Sequence, residues 1–173
     1  MQDQLKFTYQ RTFQVIKFEP VKVKMFVAAK PLTGTEDRKE ALLELNKFCS
    51  MSTQNAILPI LKAIKKSVNA DPQRILDKDV LPEDKPDLQV IHAEIYLPKL
   101  SQISFISIDF AQGWICPDRS TISPEASDFR YVEETDNLLQ VQEDIWDCVI
   151  SVVYEVADPV LVRSGRWLAA KSS

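Results

Sequence analysis

Two runs of strict alternation near the start of the chain constrain its fold more than any other feature. Phe7, Tyr9, Phe13 and Val15 fall on odd positions, with Lys6, Thr8, Gln10, Thr12 and Gln14 between them. A period of two marks a strand with one buried face. After Lys17-Phe18-Glu19-Pro20 the pattern resumes, with Val21, Val23, Met25 and Val27 alternating with Lys22 and Lys24. The two runs predict an antiparallel hairpin with a basic outer face. It ends at Pro31, which has no N–H to give to a ladder.

The period then changes. Thr33 and Glu36 have the spacing of a capping box, and Ala41, Leu42, Leu45, Phe48 and Cys49 follow on one helical face. Ile57, Ile60, Leu61, Ile64 and Val68 repeat that spacing. Pro59 is best tolerated in a helix's first turn, so a break or kink is expected between Ser50 and Asn55. Residues 70–87 hold Pro72, Pro82, Pro86 and six acids and read as a connector. Two more strands are predicted at Leu88 to Leu97 and Ile103 to Phe110, joined as a second hairpin through Pro98-Lys99-Leu100-Ser101. From Gln112 to Glu134 the chain reads as irregular, although Trp114 and Ile115 can extend a strand. The segment from Leu138 to Val156 fits a helix with polar Gln140, Asp144, Asp147, Ser151 and Glu155 on one stripe. The β-branched density of 148–156 also suits a strand. Asp158-Pro159 has the form of an N-cap and first-turn proline, which starts a last helix toward Ala170.

These elements predict an α+β fold, an antiparallel sheet built from two hairpins and covered by the helices of residues 35–69 and 138–170. At 173 residues, 45% apolar and 27% charged, the chain is expected to form one globular domain over residues 1–173. No apolar run approaches the ~20 residues of a membrane span, and the start of the chain lacks the features of a secretory signal. Cys49, Cys116 and Cys148 are an odd number without pairing logic and read as buried hydrophobes in a reducing, cytoplasmic setting. The stretch from Phe7 through Val27 into the following helix resembles, in pattern, small proteins of phages and other mobile elements. No motif accompanies that likeness, so no residue role follows from it.

Several chemistries are excluded. Phosphate-cradling loops need clustered glycines, and the three here, Gly34, Gly113 and Gly165, lie far apart. His92 is the single histidine and reads as structural, with no Ser or Cys at a spacing that makes it a catalytic base. No zinc-ligand spacing occurs, and neither a metal nor a cofactor is expected. Mg²⁺-dependent phosphodiester chemistry needs only two or three convergent carboxylates, for which Glu94 and Asp109, and Glu143, Asp144 and Asp147, are the candidates. These acids read first as solvated surface, and a metal-dependent enzyme ranks a distant third.

Charge is unevenly placed. Residues 1–70 carry twelve Lys or Arg against six Asp or Glu, and residues 71–173 carry nine against nineteen. Lys6, Arg11, Lys17, Lys22 and Lys24, helped by Lys62, Lys65 and Lys66, form a candidate nucleic-acid surface. Alternation, however, sends most of the neighbouring aromatics to the opposite, buried face, whereas a stacking platform needs rings and lysines together. The late helix is apolar over more than half its circumference, which suggests an interface with Trp146 or Trp167 as anchor. The sequence therefore reads as a non-enzymatic binding or assembly protein acting through protein-protein contacts, as a homo-oligomer or with a protein partner. The alternative is a nucleic-acid-binding accessory protein of a replication, recombination or defence system that uses the basic hairpin.

Overall fold

The computed structural model describes residues 3–16, 18–32, 37–68, 94–116 and 118–163. The connector 70–87, His92, Lys17, Trp167, the Thr33–Glu36 capping box and the end of the last predicted helix lie outside them. The elements run β1 (Leu5–Ile16), β2 (Glu19–Pro31), α1 (Arg38–Val68), β3 (Ser101–Gln112), β4 (Trp114–Ile115), β5 (Thr121–Ile122), β6 (Glu125–Tyr131) and α2 (Leu138–Arg163). Four strands form one antiparallel sheet in the order β1-β2-β3-β6, and β4 and β5 make a separate two-stranded ribbon. The fold is α+β, as expected.

The first hairpin forms in the predicted place, with Phe7 opposite Val27 and Phe13 opposite Val21. Its ladder shifts register between Phe13 and Ile16, and the turn carries Phe18 in the left-handed region at φ 62°. The second pair differs from the sequence reading. Of the strand expected at 88–97, residues 88–93 lie outside the described residues and 94–97 are not strand, and β3 pairs with β2 on one side and β6 on the other. The stretch read as irregular supplies β6. Its sequence, EASDFRY, offers little apolar alternation because this strand lies at the edge of the sheet and leaves most of its side chains exposed.

Both helices lie on the same face of the sheet, α1 over β1 and β2, and α2 over β3 and β6. The core is built there from odd-numbered Val21, Val23, Met25, Val27 and Ala29 of β2 and even-numbered Ile106, Ile108 and Phe110 of β3. Leu45, Phe48, Ile57 and Leu61 of α1 and Ile145, Trp146, Val149, Val153 and Leu161 of α2 complete it. Each large apolar side chain so buried contributes about 1.5–3 kcal/mol.

The helices are longer and less interrupted than their sequences suggest. Asp37 caps α1, accepting from the Glu40 amide at 2.9 Å, so the start falls after the predicted capping box. α1 runs unbroken through Ser50–Asn55 and carries Pro59 in its interior. Two of the hydroxyls there have outlets, since Ser50 donates to the Lys47 carbonyl and Ser52 to Gln142 across the helix interface, whereas the Thr53 hydroxyl is buried without a hydrogen-bond partner among the described residues. Buried Ile57, Leu58, Ile60 and Leu61 on both sides of Pro59 offset its lost hydrogen bond. In α2, capped by Asn137 at the Gln140 amide, residues 148–156 are helical. Asp158-Pro159 continues that helix instead of starting another, held by buried Ala157 and Leu161.

Buried polar groups tie the layers together. The Trp146 indole donates to Ser52 Oγ at 2.8 Å, Ser52 donates to Gln142 Oε1, and Gln142 Nε2 donates to the Leu139 carbonyl. Glu44 on α1 accepts from the Tyr96 hydroxyl at 2.7 Å and from the Leu100 and Lys99 amides at 2.9 and 3.1 Å, which straps residues 96–100 to the helix. Burial pushes the Glu44 carboxyl up, but these three donors outweigh it and hold the group below the usual carboxylate range. Tyr154 donates to Gln112 Oε1 at 2.7 Å, and burial raises its phenol well above the ordinary value. Cys49 and Cys116 are buried, with the Cys49 thiol pushed up to about 12 by desolvation. Cys148 corrects the expectation for the three cysteines: it is exposed on the outer side of α2.

Candidate functional site

The face of the sheet opposite the helices is where sequence and structure diverge most usefully. Because directly paired residues share a face, the register lays out its side chains as four rows running across the strands. The first row is Lys6, Ala28, Phe105 and Tyr131, and the second is Thr8, Phe26, Ser107 and Phe129. The third is Gln10, Lys24, Asp109 and Ser127, and the fourth is Thr12, Lys22, Ala111 and Glu125. With strands about 4.8 Å apart and alternate residues about 7 Å apart along a strand, this surface measures about 14 Å by 20 Å.

The first two rows hold an aromatic cluster. The Phe105 ring centroid lies 5.9 Å from Phe26, 5.6 Å from Phe129 and 5.2 Å from Tyr131, and Phe129 and Tyr131 are 6.4 Å apart. Phe26 and Phe105 are half-buried by their neighbours, whereas Phe129 and Tyr131 are 58% and 73% exposed. Large aromatics that stay in water on a sheet face gain little for the fold, so the pair stands out. The other two rows form a shallow polar depression of about 370 Å³, lined among others by Gln10, Thr12, Lys22, Lys24, Asp109 and Glu125. Lysines lie on the β1–β2 side of this face, at Lys6, Lys22, Lys24 and Lys30, and carboxylates on the β3–β6 side, at Asp109 and Glu125.

The structure brings together part of the basic set read from the sequence. Lys6, Lys22 and Lys24 share the open face. Arg11 points the other way, toward the helix side of the edge strand, with its guanidinium 4.7 Å from the Phe13 ring centroid. Lys62 is exposed on α1, behind the sheet, and Lys65 and Lys66 belong to the same helix. Phe7, Tyr9 and Phe13 face the helices as expected, but Phe26 breaks the pattern of its strand and joins the lysines. Phe105, Phe129 and Tyr131 were missed. The available signal was the odd-numbered spacing of Phe129 and Tyr131, two residues apart, which marks one face once 125–131 is recognised as a strand.

The other candidates are scattered. Trp146 is 2% exposed and packed between the helices. It also lines a second cavity of about 410 Å³ with Ser52, Pro59, Gln142, Asp147 and Ile150, where the hydrogen-bonded Trp146, Ser52 and Gln142 satisfy one another. Glu94 is exposed outside any strand and does not neighbour Asp109 in the sheet, while Glu143 and Asp147 are exposed on α2. Among the described residues no group of three or more His, Cys, Asp or Glu is placed to hold a metal ion, and no helix is long and apolar enough to cross a membrane. Comparison of the chain with protein-family models, with curated proteins and with solved structures gives no match.

Proposed function

We propose that this chain is a binding protein, not an enzyme, and that its working surface is the face of the sheet opposite α1 and α2, which takes an extended polyanion. The observation that carries this reading is the register itself. It sets Lys6, Lys22 and Lys24 on the same exposed face of the β1–β2 hairpin. Charge complementarity of this kind concentrates and orients an anionic partner. The test is retention on immobilised heparin or polyphosphate as a function of salt. The wild type is expected to bind at low salt, with an affinity that falls steeply as salt rises. Changing Lys6, Lys22 and Lys24 together to Glu is expected to abolish retention while leaving the circular dichroism and the urea midpoint near the wild-type values. A wild type that passes unretained over heparin, polyphosphate and oligonucleotides alike at low salt would sink the reading.

A protein-contact reading rests on a different surface. Val152, Val156 and Val160 of α2, at helical spacing of four, are 44%, 53% and 39% exposed, and exposed apolar stripes of this kind mark interfaces. Under this reading α2 joins the chain to a second copy or a protein partner. Sedimentation equilibrium at micromolar concentration checks the homo-oligomer version, and replacement of Val152 and Val156 by Glu is expected to shift any dimer to monomer.

A further inference from the structure

We infer that the polyanion held by the open face is a single-stranded nucleic acid, whose phosphates follow the β1–β2 lysines and whose bases lie over the rings of β3 and β6. This rests on the reading of that face given above and narrows it.

The narrowing comes from the asymmetry of the face. A uniform polyanion such as polyphosphate, laid across all four strands, would set its charges against Asp109 and Glu125 as well as against the lysines. Like charges at that range repel. The ligand that fits is anionic along one side only and offers flat, neutral groups rich in hydrogen-bond donors on the other. A single nucleic-acid strand has that form. Its backbone matches Lys6, Lys22 and Lys24, and its bases have π-faces for Phe105, Phe129 and Tyr131 and amino groups for which carboxylates are acceptors. Duplexes fit less well, because their bases are already stacked on one another and cannot reach the rings. An acidic peptide satisfies the lysines but leaves two largely exposed rings without a counterpart. Alternate residues on β2 set Lys24 about 7 Å from Phe26, so one strand can meet lysine and ring within neighbouring nucleotides.

The experiment measures fluorescence anisotropy of the full chain with a labelled single-stranded oligonucleotide of about a dozen residues, its duplex, and polyphosphate and heparin as competitors. Single strands are expected to bind at least about tenfold tighter than the duplex. Phe129→Ala with Tyr131→Ala is expected to weaken single-strand binding by about ten- to a hundredfold and to leave retention on polyphosphate unchanged. Tyr131→Phe, which keeps the ring, should bind like the wild type. If single strands, duplex and polyphosphate bind alike, and the alanine pair changes none of them, the inference falls while the polyanion reading stands. If nothing binds, both fall. A duplex preferred over the single strand, or a Tyr131→Phe variant as weak as Tyr131→Ala, also overturns the inference. Should the alanine pair fail to fold, photocrosslinking of a 4-thiouridine oligonucleotide to the wild type gives the same decision. Adducts are expected on residues 101–112 and 125–131, and adducts confined to the helices would overturn it.

Discussion

The two faces of the central sheet are made by the same strands and the same period of two, yet they obey different rules. On the helix side, Met25, Val27, Ile106, Ile108 and Phe110 are fully buried beneath α1 and α2, and their chemistry is uniform because close packing rewards shape alone. On the other side a single strand, β2, alternates Lys22, Lys24, Phe26 and Ala28, and β3 alternates Phe105, Ser107, Asp109 and Ala111. Stability accounts for the first list. The second mixes cations, anions and aromatics in a way that packing does not require, and it is this mixture on which the proposed binding role rests.

The sharpest way to break this contrast is to remove one ring from each face. Phe110→Ala on the covered side is expected to cost about 3–5 kcal/mol in urea unfolding, a large share of the stability of a domain this size. Phe129→Ala on the open side is expected to cost no more than about 1 kcal/mol, the order of an aromatic pair contact. Equal losses would mean that the open face is structural after all.

Glu44 gives an intermediate effect at the border of the covered side. Replacing it with Gln leaves a neutral acceptor for three donors that now meet a carboxylate, and about 1–3 kcal/mol is expected to be lost near neutral pH. Because the carboxyl is held below its ordinary value of 4.5 in the folded chain, its contribution is fully present above that value. It is lost as pH falls through the depressed one. The urea midpoints of wild type and Glu44→Gln should therefore converge on acidification. A gap that stays constant from pH 7 to pH 3 would show that the carboxylate charge is not what holds the strap.

The smallest perturbation is chemical. A thiol reagent at neutral pH is expected to label one cysteine per native chain, Cys148, and all three only after unfolding. Cys49 is both inaccessible and pushed up to about 12, so its thiolate is scarce. Rapid native labelling of Cys49 or Cys116 would mean that the helix layer opens readily.

Much of the covered side was legible in the sequence, because burial on one face writes itself as periodicity. The β1–β2 hairpin and the bodies of both helices could be read from Val21, Val23, Met25 and Val27 and from spacings of three and four. The interruptions expected at Ser50–Asn55 and at Asp158-Pro159 failed for a common reason. Local preference, worth about 3 kcal/mol for an interior proline, was outweighed by apolar side chains anchored on both sides of it. The open face was nearly illegible. Its rings sit on four strand positions of which two belong to β6, an edge strand whose helix-side residues Ala126, Asp128 and Arg130 carry little apolar signal. Without that strand, Phe129 and Tyr131 cannot be assigned a side, and nothing in composition places them beside lysines that precede them by more than a hundred residues.

The β2–β3 ladder joins Pro31 to Ser101 and Val21 to Gln112, partners about 70 to 90 residues apart. This seam is the slowest kind of contact for a chain to make, since a long loop must close before any pairing rewards it. It also runs between the lysines of β1 and β2 and the exposed rings of β6. Neither strand pair alone presents the whole surface, so the proposed binding face comes into being only when the seam zips. Under that proposal, a ligand that bridges it would act as a clasp on the finished sheet, adding about 2.7 kcal/mol at a hundred times its Kd and slowing the step in which the two halves part.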